Sequence, residues 1–112
     1  MLNSKLNLSP DIFSKKIEHK FMRDGFGHGL LEAGEKDERI VALSADLKES
    51  TKVNFFADKF PERFIEVGVA EQNLVTIASG MANYGKIPFV TSYSAFSPGR
   101  NWEQIRTTIG ID

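Results

Sequence analysis

The hydrophobic residues of this chain fall into short continuous runs and into longer segments with a helical repeat. Three apolar runs predict strands, at residues 39–44, 63–67 and 87–92. Apolar residues three and four positions apart predict helices over about residues 24–36, 51–59 and 69–84, with a last helix after residue 99. Because helices and strands alternate along the chain, the pattern predicts an α/β fold with a mostly parallel sheet.

The first predicted helix is rich in glycine. Asp24 is its predicted N-terminal cap, and glycines follow at positions 25, 27, 29 and 34. A glycine inside a helix costs up to about 1 kcal/mol relative to alanine, so we expect this helix to pack closely against a neighbour. The spacing of the first three glycines is not a dinucleotide-binding motif, because the third comes one residue early and no strand precedes it.

Both ends of the chain carry weaker patterns. Residues 1–20 show no sustained hydrophobic period and are predicted to form an N-terminal arm ahead of a single domain at 21–112. The predicted last helix has Trp102, Ile105 and Ile109 on one face, and Gly110 is its candidate stop.

Composition and charge narrow the classes of function. A chain of 112 residues with 41% hydrophobic and 26% charged residues suits one compact domain. Its 14 basic and 15 acidic residues give a net charge of −1, so no overall field attracts nucleic acid or an anionic membrane. We therefore expect neither nucleic acid nor a membrane as a partner.

Several kinds of site and location are not expected. The chain has no cysteine, which removes disulfides, thiolate chemistry and sulfur-ligated zinc. The first residues lack the apolar core of a signal peptide, and no run approaches about 18 apolar residues, so a cytoplasmic protein is expected. His19 and His28 are isolated, and no metal site is predicted in this chain.

Glu71 is the candidate functional residue that position alone suggests. It lies where a predicted strand passes into a predicted helix, in the run Gly68-Val69-Ala70-Glu71-Gln72-Asn73. Ligands of open parallel sheets bind at the carboxyl ends of strands. An acid in a first helical turn also complements the helix dipole without any further role. Position alone leaves both interpretations open.

A wider set of motifs gives Glu71 a context. The set comprises Ser44-Ala45-Asp46-Leu47, Phe60-Pro61-Glu62-Arg63-Phe64, the Glu71 run, Ala78-Ser79-Gly80-Met81-Ala82, Gly85-Lys86-Ile87-Pro88-Phe89, Tyr93-Ser94-Ala95-Phe96-Ser97-Pro98-Gly99-Arg100 and Gln104-Ile105-Arg106. In order and spacing, these motifs resemble the pyrimidine-binding domain of transketolases over residues 21–112. The chain looks most like the C-terminal half of a transketolase encoded as two chains.

The resemblance implies a particular version of the α/β fold. It is the three-layer thiamine diphosphate-binding fold, with helices on both faces of a mostly parallel sheet. The transketolase domain continues with further strands, so a sheet of only three strands is expected to be incomplete. We expect the chain to be either truncated or completed by something else.

The resemblance also implies the site residues. Glu71 matches the glutamate that hydrogen-bonds N1′ of the aminopyrimidine of thiamine diphosphate, where a poorly hydrated carboxyl shares a proton with the ring. Phe96 matches the aromatic that stacks on this ring, and Tyr93 lies on the same pocket wall. Asp46 approaches the cofactor across a subunit boundary. Without the resemblance, Phe96 is interpreted as a core aromatic. For Asp46, a turn role and a cofactor role are equally open.

The resemblance also bears on Gly99 and Arg100, which follow Phe96 in the same loop. Gly99 stands where some transketolases carry a third pocket aromatic, so this chain departs from those transketolases at the outer part of the aromatic pocket. Arg100 either faces an anionic sugar phosphate or stabilises the turn and pairs with Glu103, and we favour the structural role.

Other components of such a site must come from elsewhere. Thiamine enzymes hold the diphosphate through Mg²⁺ or Ca²⁺ bound by a Gly-Asp-Gly segment and a downstream asparagine, and this sequence has no such segment. The resemblance therefore implies an N-terminal transketolase subunit as partner, in a homodimer or heterotetramer. The isolated chain is expected to be inactive.

The implied function is thiamine diphosphate-dependent transfer of a two-carbon ketol unit between sugar phosphates, as in the pentose phosphate pathway. A close alternative is a 1-deoxy-D-xylulose-5-phosphate synthase, although that family usually has histidine where this chain has Asn73. A noncatalytic truncated fragment is a further alternative, supported by the missing strands.

Overall fold

The computed structural model of the chain describes residues 9–110, so residues 1–8 of the predicted arm lie outside the described residues. The elements are α1 (Met22–Lys36), β1 (Ile40–Ser44), α2 (Asn54–Lys59), a 3₁₀ helix (Pro61–Arg63), β2 (Phe64–Glu66), α3 (Glu71–Asn83), β3 (Ile87–Thr91) and α4 (Trp102–Thr108). The predicted alternation of helices and strands is confirmed. Within the described range, none of the helices combines the length and the apolar surface that spanning a membrane requires.

The three strands form one parallel sheet in the order β2-β1-β3. Ala42 of the central strand pairs with Phe64 of β2 on one side and with Phe89 of β3 on the other. All five residues of β1 are buried. This burial is what the continuous apolar run predicts for a strand that is covered on both faces.

Two hydrophobic clusters lie on opposite faces of the sheet. One cluster lies against α1 and α2 and comprises Leu30, Ile40, Ala42, Val53 and Phe56. The other lies against α3 and comprises Val41, Leu43, Ala45, Leu74 and Ala78. Successive residues of β1 alternate between the clusters because successive side chains of a strand point to opposite faces. The predicted three-layer arrangement, with helices on both faces of the sheet, is confirmed.

The start of α1 differs from the prediction. Phe21 is the N-cap residue, and no side chain caps the helix. The prediction that Asp24 caps α1 is therefore wrong. Asp24 lies within the first turn, with its carboxylate 4.0 Å from Nζ of Lys52. An acid in this position complements the helix dipole without a capping hydrogen bond.

Two further helix predictions need correction. α2 begins at Asn54 rather than Thr51, because the Thr51 hydroxyl donates to the backbone oxygen of Leu47 at 2.8 Å and holds a turn ahead of the helix. α4 ends at Thr108, so Ile109, which was predicted to lie on the helix with Trp102 and Ile105, is its C-cap residue. Trp102 is 65% exposed and Ile109 is 54% exposed.

Close packing of α1 is confirmed at two of its four glycines. A β-carbon added at Gly27 would lie 2.6 Å from the backbone oxygen of Lys52, and one added at Gly34 would overlap the ring of Phe56. At Gly25 and Gly29 nothing lies within 4 Å of an added β-carbon. The close approach between α1 and the segment around α2 therefore depends on Gly27 and Gly34.

We expect Gly34→Ala to lower the free energy of unfolding by about 1–3 kcal/mol, because the added methyl group overpacks the contact with Phe56. Gly29→Ala is the matched control in the same helix. It should raise stability by up to about 1 kcal/mol through helix propensity alone. Urea unfolding of the full chain, followed by circular dichroism, measures both changes. Equal effects of the two substitutions would contradict the packing argument.

Candidate functional site

Glu71 is the first residue of α3, at the carboxyl edge of the sheet. β2 ends at Glu66, and the chain turns through Gly68, whose φ of +70° is a conformation that glycine adopts without strain. Although it is an acid, Glu71 is only 6% exposed. The structure thus places this residue at the strand-to-helix junction that the sequence pattern indicates.

Arg100 pairs with this buried carboxylate. Its Nη1 donates a hydrogen bond to Oε1 of Glu71 at 2.9 Å. The Arg100 side chain is 52% exposed, against 7% for Glu71. The guanidinium carbon of Arg100 also lies 4.3 Å from the centre of the Phe96 ring. Arg100 therefore contacts both Glu71 and Phe96.

The prediction that Arg100 pairs with Glu103 is wrong, since its ion-pair partner is Glu71. The physical reason is the difference in burial. A carboxylate shielded from water needs a charged donor, whereas Glu103 lies exposed in the first turn of α4, where water solvates it.

Asn101 holds the loop that carries Phe96 and Arg100 against α3. Its side chain is completely buried. Nδ2 donates to the backbone oxygen of Glu71 at 2.9 Å and lies 3.0 Å from Oγ of Ser97. Sequence reasoning missed Asn101, because an asparagine before a helix normally indicates a cap, and here its side chain makes no capping bond.

Tyr93 and Phe96 are neighbours, with ring centres 6.0 Å apart and planes inclined at 36°. Neither ring lines the cavity beside Glu71. Glu71 and Arg100 line a cavity of about 360 Å³ together with residues 69–70 and 72–73. Tyr93 lines a separate cavity of about 430 Å³ between α1, the segment after β1 and the end of β3.

Asp46 is the predicted site residue that lies apart from Glu71. It follows β1 with a φ of +60°, is exposed, and does not line the Glu71 cavity. Its backbone N–H donates to Oε1 of Glu66 at 2.7 Å. The turn geometry agrees with the interpretation of Asp46 as a turn residue, since aspartate tolerates a left-handed backbone.

Glu66 connects two turns at the carboxyl edge of the sheet. The same oxygen that accepts from Asp46 also accepts from the backbone N–H of Gly68 at 2.9 Å. The turn after β1 is thereby tied to the turn that leads into α3 and Glu71. Sequence reasoning missed Glu66, although an acid at the end of a strand and two residues before a glycine is a usable signal.

The loop conformation explains why Gly99 departs from the transketolase pattern. A β-carbon added at this position would overlap the backbone oxygen of Ala95 and lie 3.2 Å from that of Ser94. In this loop there is no space for a third aromatic at Gly99.

No group of three or more His, Asp or Glu side chains in residues 9–110 is arranged to hold a metal ion. His28 instead stacks on Phe55, with ring centres 4.9 Å apart.

We expect Glu66→Ala to lower the free energy of unfolding by about 1–2 kcal/mol, because two backbone N–H groups lose a charged acceptor that is partly accessible to water. Glu66→Gln, which keeps an acceptor oxygen, should cost less. Glu62→Ala is the control, since that side chain is 69% exposed near the opposite end of β2. Urea unfolding measures all three, and equal losses for Glu66→Ala and Glu62→Ala would show that the link between the turns is unimportant.

Comparison with known proteins gives this geometry a family context. A family model described as "Transketolase, pyrimidine binding domain" matches residues 19–111. A protein of Methanocaldococcus jannaschii named "Putative transketolase C-terminal section" is 50% identical over 91 residues, which are 81% of this chain and 29% of that protein. The 1-deoxy-D-xylulose-5-phosphate synthase of Dictyoglomus thermophilum is 49% identical over 71 residues, which are 63% of this chain and 12% of that enzyme.

A solved structure also matches. A split gene transketolase described as an inactive β4 tetramer has a TM-score of 0.70 and 47% sequence identity, over 78% of this chain and 29% of that one. The chain therefore spans less than a third of the length of each of these relatives.

Proposed function

Because the chain belongs to the family of transketolase pyrimidine-binding domains, we propose that it supplies the aminopyrimidine side of a thiamine diphosphate site. The proposed reaction is the transfer of a two-carbon ketol unit between sugar phosphates. The observation that supports it most directly is the buried carboxylate of Glu71. It lies at the carboxyl edge of a parallel sheet, where ligands of this fold class bind.

The chemistry around Glu71 fits an aminopyrimidine. A ring nitrogen that carries or shares a proton needs a carboxylate partner, and a flat ring gains from an aromatic face. Glu71 and Phe96 offer these two groups. The guanidinium of Arg100, which is also flat and also donates N–H groups, contacts both of them. A cavity of about 360 Å³ opens beside Glu71.

When bound, thiamine diphosphate supplies the carbon nucleophile that carries the ketol unit. In our proposal Glu71 exchanges a proton with the ring nitrogen, because its buried carboxylate lines the cavity into which the ring binds. Phe96 fixes the plane of the ring, with about 0.5–1.5 kcal/mol beyond the burial of area. We further propose that Tyr93, whose ring centre lies 6.0 Å from that of Phe96, contacts the cofactor from the adjoining cavity, and that Asp46 lies at the boundary with another subunit.

We assign the metal and the diphosphate to a separate N-terminal subunit. The described residues contain no metal-ligating cluster, and the sequence contains no Gly-Asp-Gly segment. The similar solved structure is a split gene transketolase, which supports a two-chain arrangement. In this proposal Mg²⁺ or Ca²⁺ enters with the partner, and the isolated chain is inactive.

A second candidate function is synthesis of 1-deoxy-D-xylulose 5-phosphate, favoured by the similarity to the synthase of D. thermophilum. That match covers less of the chain than the transketolase match does. Asn73, which lines the Glu71 cavity, also stands where the resemblance places a histidine in synthases. One assay follows ketol transfer from a ketose phosphate to an aldose phosphate, and another follows formation of 1-deoxy-D-xylulose 5-phosphate.

We expect Glu71→Gln to lower the rate of ketol transfer at least about 100-fold in the assembled complex, because an amide cannot exchange a proton with the ring nitrogen. The measurement is a steady-state assay of the chain mixed with its N-terminal partner, thiamine diphosphate and Mg²⁺. The chain assayed without the partner should show no transfer.

Glu103→Gln is the matched control, because it makes the same chemical change at an exposed acid in the first turn of another helix. It should leave the rate unchanged. Ketol transfer that survives Glu71→Gln at the normal rate would remove Glu71 from the mechanism. A mixture with the partner that stays inactive in both assays would favour a noncatalytic fragment.

A further inference from the structure

We propose that Arg100 occupies the ring-binding position of this site in the ligand-free chain, so that an aminopyrimidine must displace the guanidinium in order to bind. The inference rests on the proposed function, because it concerns the same carboxylate and the same aromatic face. It adds a competition between a side chain of the protein and the ligand. This competition lowers the apparent affinity for the cofactor.

Two separate contacts place the guanidinium in the position of the ring. Nη1 of Arg100 donates to Oε1 of Glu71 at 2.9 Å, which is the type of hydrogen bond that a protonated ring nitrogen makes with a carboxylate. The guanidinium carbon lies 4.3 Å from the centre of the Phe96 ring. In the proposed position, a flat ring that stacks on Phe96 and bonds to Oε1 of Glu71 overlaps with the guanidinium of Arg100.

The strength of these contacts allows displacement. Arg100 makes one hydrogen bond to Glu71 and not a bidentate pair, and its side chain is 52% exposed. It can therefore rotate into water, which solvates the released charge. Glu71 keeps a favourable environment after this movement, because it is the first residue of α3 and the N-terminal end of a helix stabilises an anion.

Displacement has a cost that lowers the apparent affinity. When only a fraction of the protein is in the binding-competent state, the apparent Kd is the intrinsic Kd divided by that fraction. The half-exposed ion pair and the cation–π contact favour the state in which Arg100 contacts Glu71 and Phe96. Together they make it about five- to tenfold more populated than the state in which Arg100 has rotated into water. Removing the guanidinium should therefore tighten cofactor binding by about the same factor.

The opposite arrangement gives the opposite result. In that arrangement Arg100 keeps Oε1 of Glu71 while the ring binds at Oε2, and the arginine orients the carboxylate for the ligand. Its removal would then weaken binding. The sign of the change in affinity separates the two arrangements.

The test is calorimetric titration of thiamine diphosphate, with Mg²⁺, into the complex of the full chain and its N-terminal partner. We expect Arg100→Met to lower the Kd about five- to tenfold. Arg106→Met is the matched control, because it removes the same charge from an exposed residue of α4. It should leave the Kd unchanged. If Arg100→Met does not fold, Arg100→Lys, which loses the planar group and keeps the charge, should lower the Kd by a smaller factor.

A second measurement needs no cofactor. Urea unfolding of the ligand-free chain should show that Arg100→Met lowers stability while Arg106→Met does not, because Arg100 pairs with a buried carboxylate and Arg106 lies exposed on α4. Lower stability without ligand, together with tighter binding of the ligand, identifies a side chain that the ligand replaces.

The outcomes separate this inference from the function on which it rests. An unchanged or higher Kd for Arg100→Met, with normal binding by the unsubstituted complex, overturns the inference and leaves the proposed function intact. Absence of binding by the unsubstituted complex and by every variant overturns both.

Discussion

A carboxylate that is almost completely removed from water requires a fixed source of positive potential, and the carboxyl edge of this domain is arranged around that requirement at Glu71. The residue is 6% exposed and begins α3, so the unpaired N–H groups of the first helical turn face the same region. Arg100 supplies a full charge from the next loop. Asn101 fixes that loop by a hydrogen bond to the backbone of Glu71 itself.

The central strand explains why these groups meet. β1 is buried on both faces and pairs in parallel with both neighbours, so the turns after β1 and β2 leave the sheet at one edge. Glu66 then binds the two turns to each other through one carboxylate oxygen. The position of Glu71 is thereby coupled to the hydrophobic core, although the site itself is assembled from loops.

The sequence predicted those features that depend on local pattern. The strands, the parallel sheet and the junction at Glu71 follow from apolar periodicity, and the family resemblance implied the three layers. The glycine-rich sequence of α1 indicated close packing, which the structure confirms at Gly27 and Gly34. Predictions from the sequence failed where tertiary contacts determine which groups pair. Asp24 lies beside Lys52 and makes no capping hydrogen bond. Arg100 pairs with the buried Glu71 and not with Glu103, which is nearer in sequence. The spacing of residues along the sequence indicates neither pairing, because burial is a property of the folded chain.

The same geometry explains why one chain is an unfavourable place for the proposed chemistry. A carboxyl that shares a proton with a ring nitrogen needs a poorly hydrated site, yet Arg100, which covers Glu71, is half exposed. Nearby apolar side chains are also open to water, with Val69 70% exposed and Trp102 65% exposed. Apolar surface around a buried acid is what a second subunit would cover. Covering it would reduce the access of water to Arg100 and to the cavity beside Glu71, which connects the proposed partner to the chemistry of a single side chain.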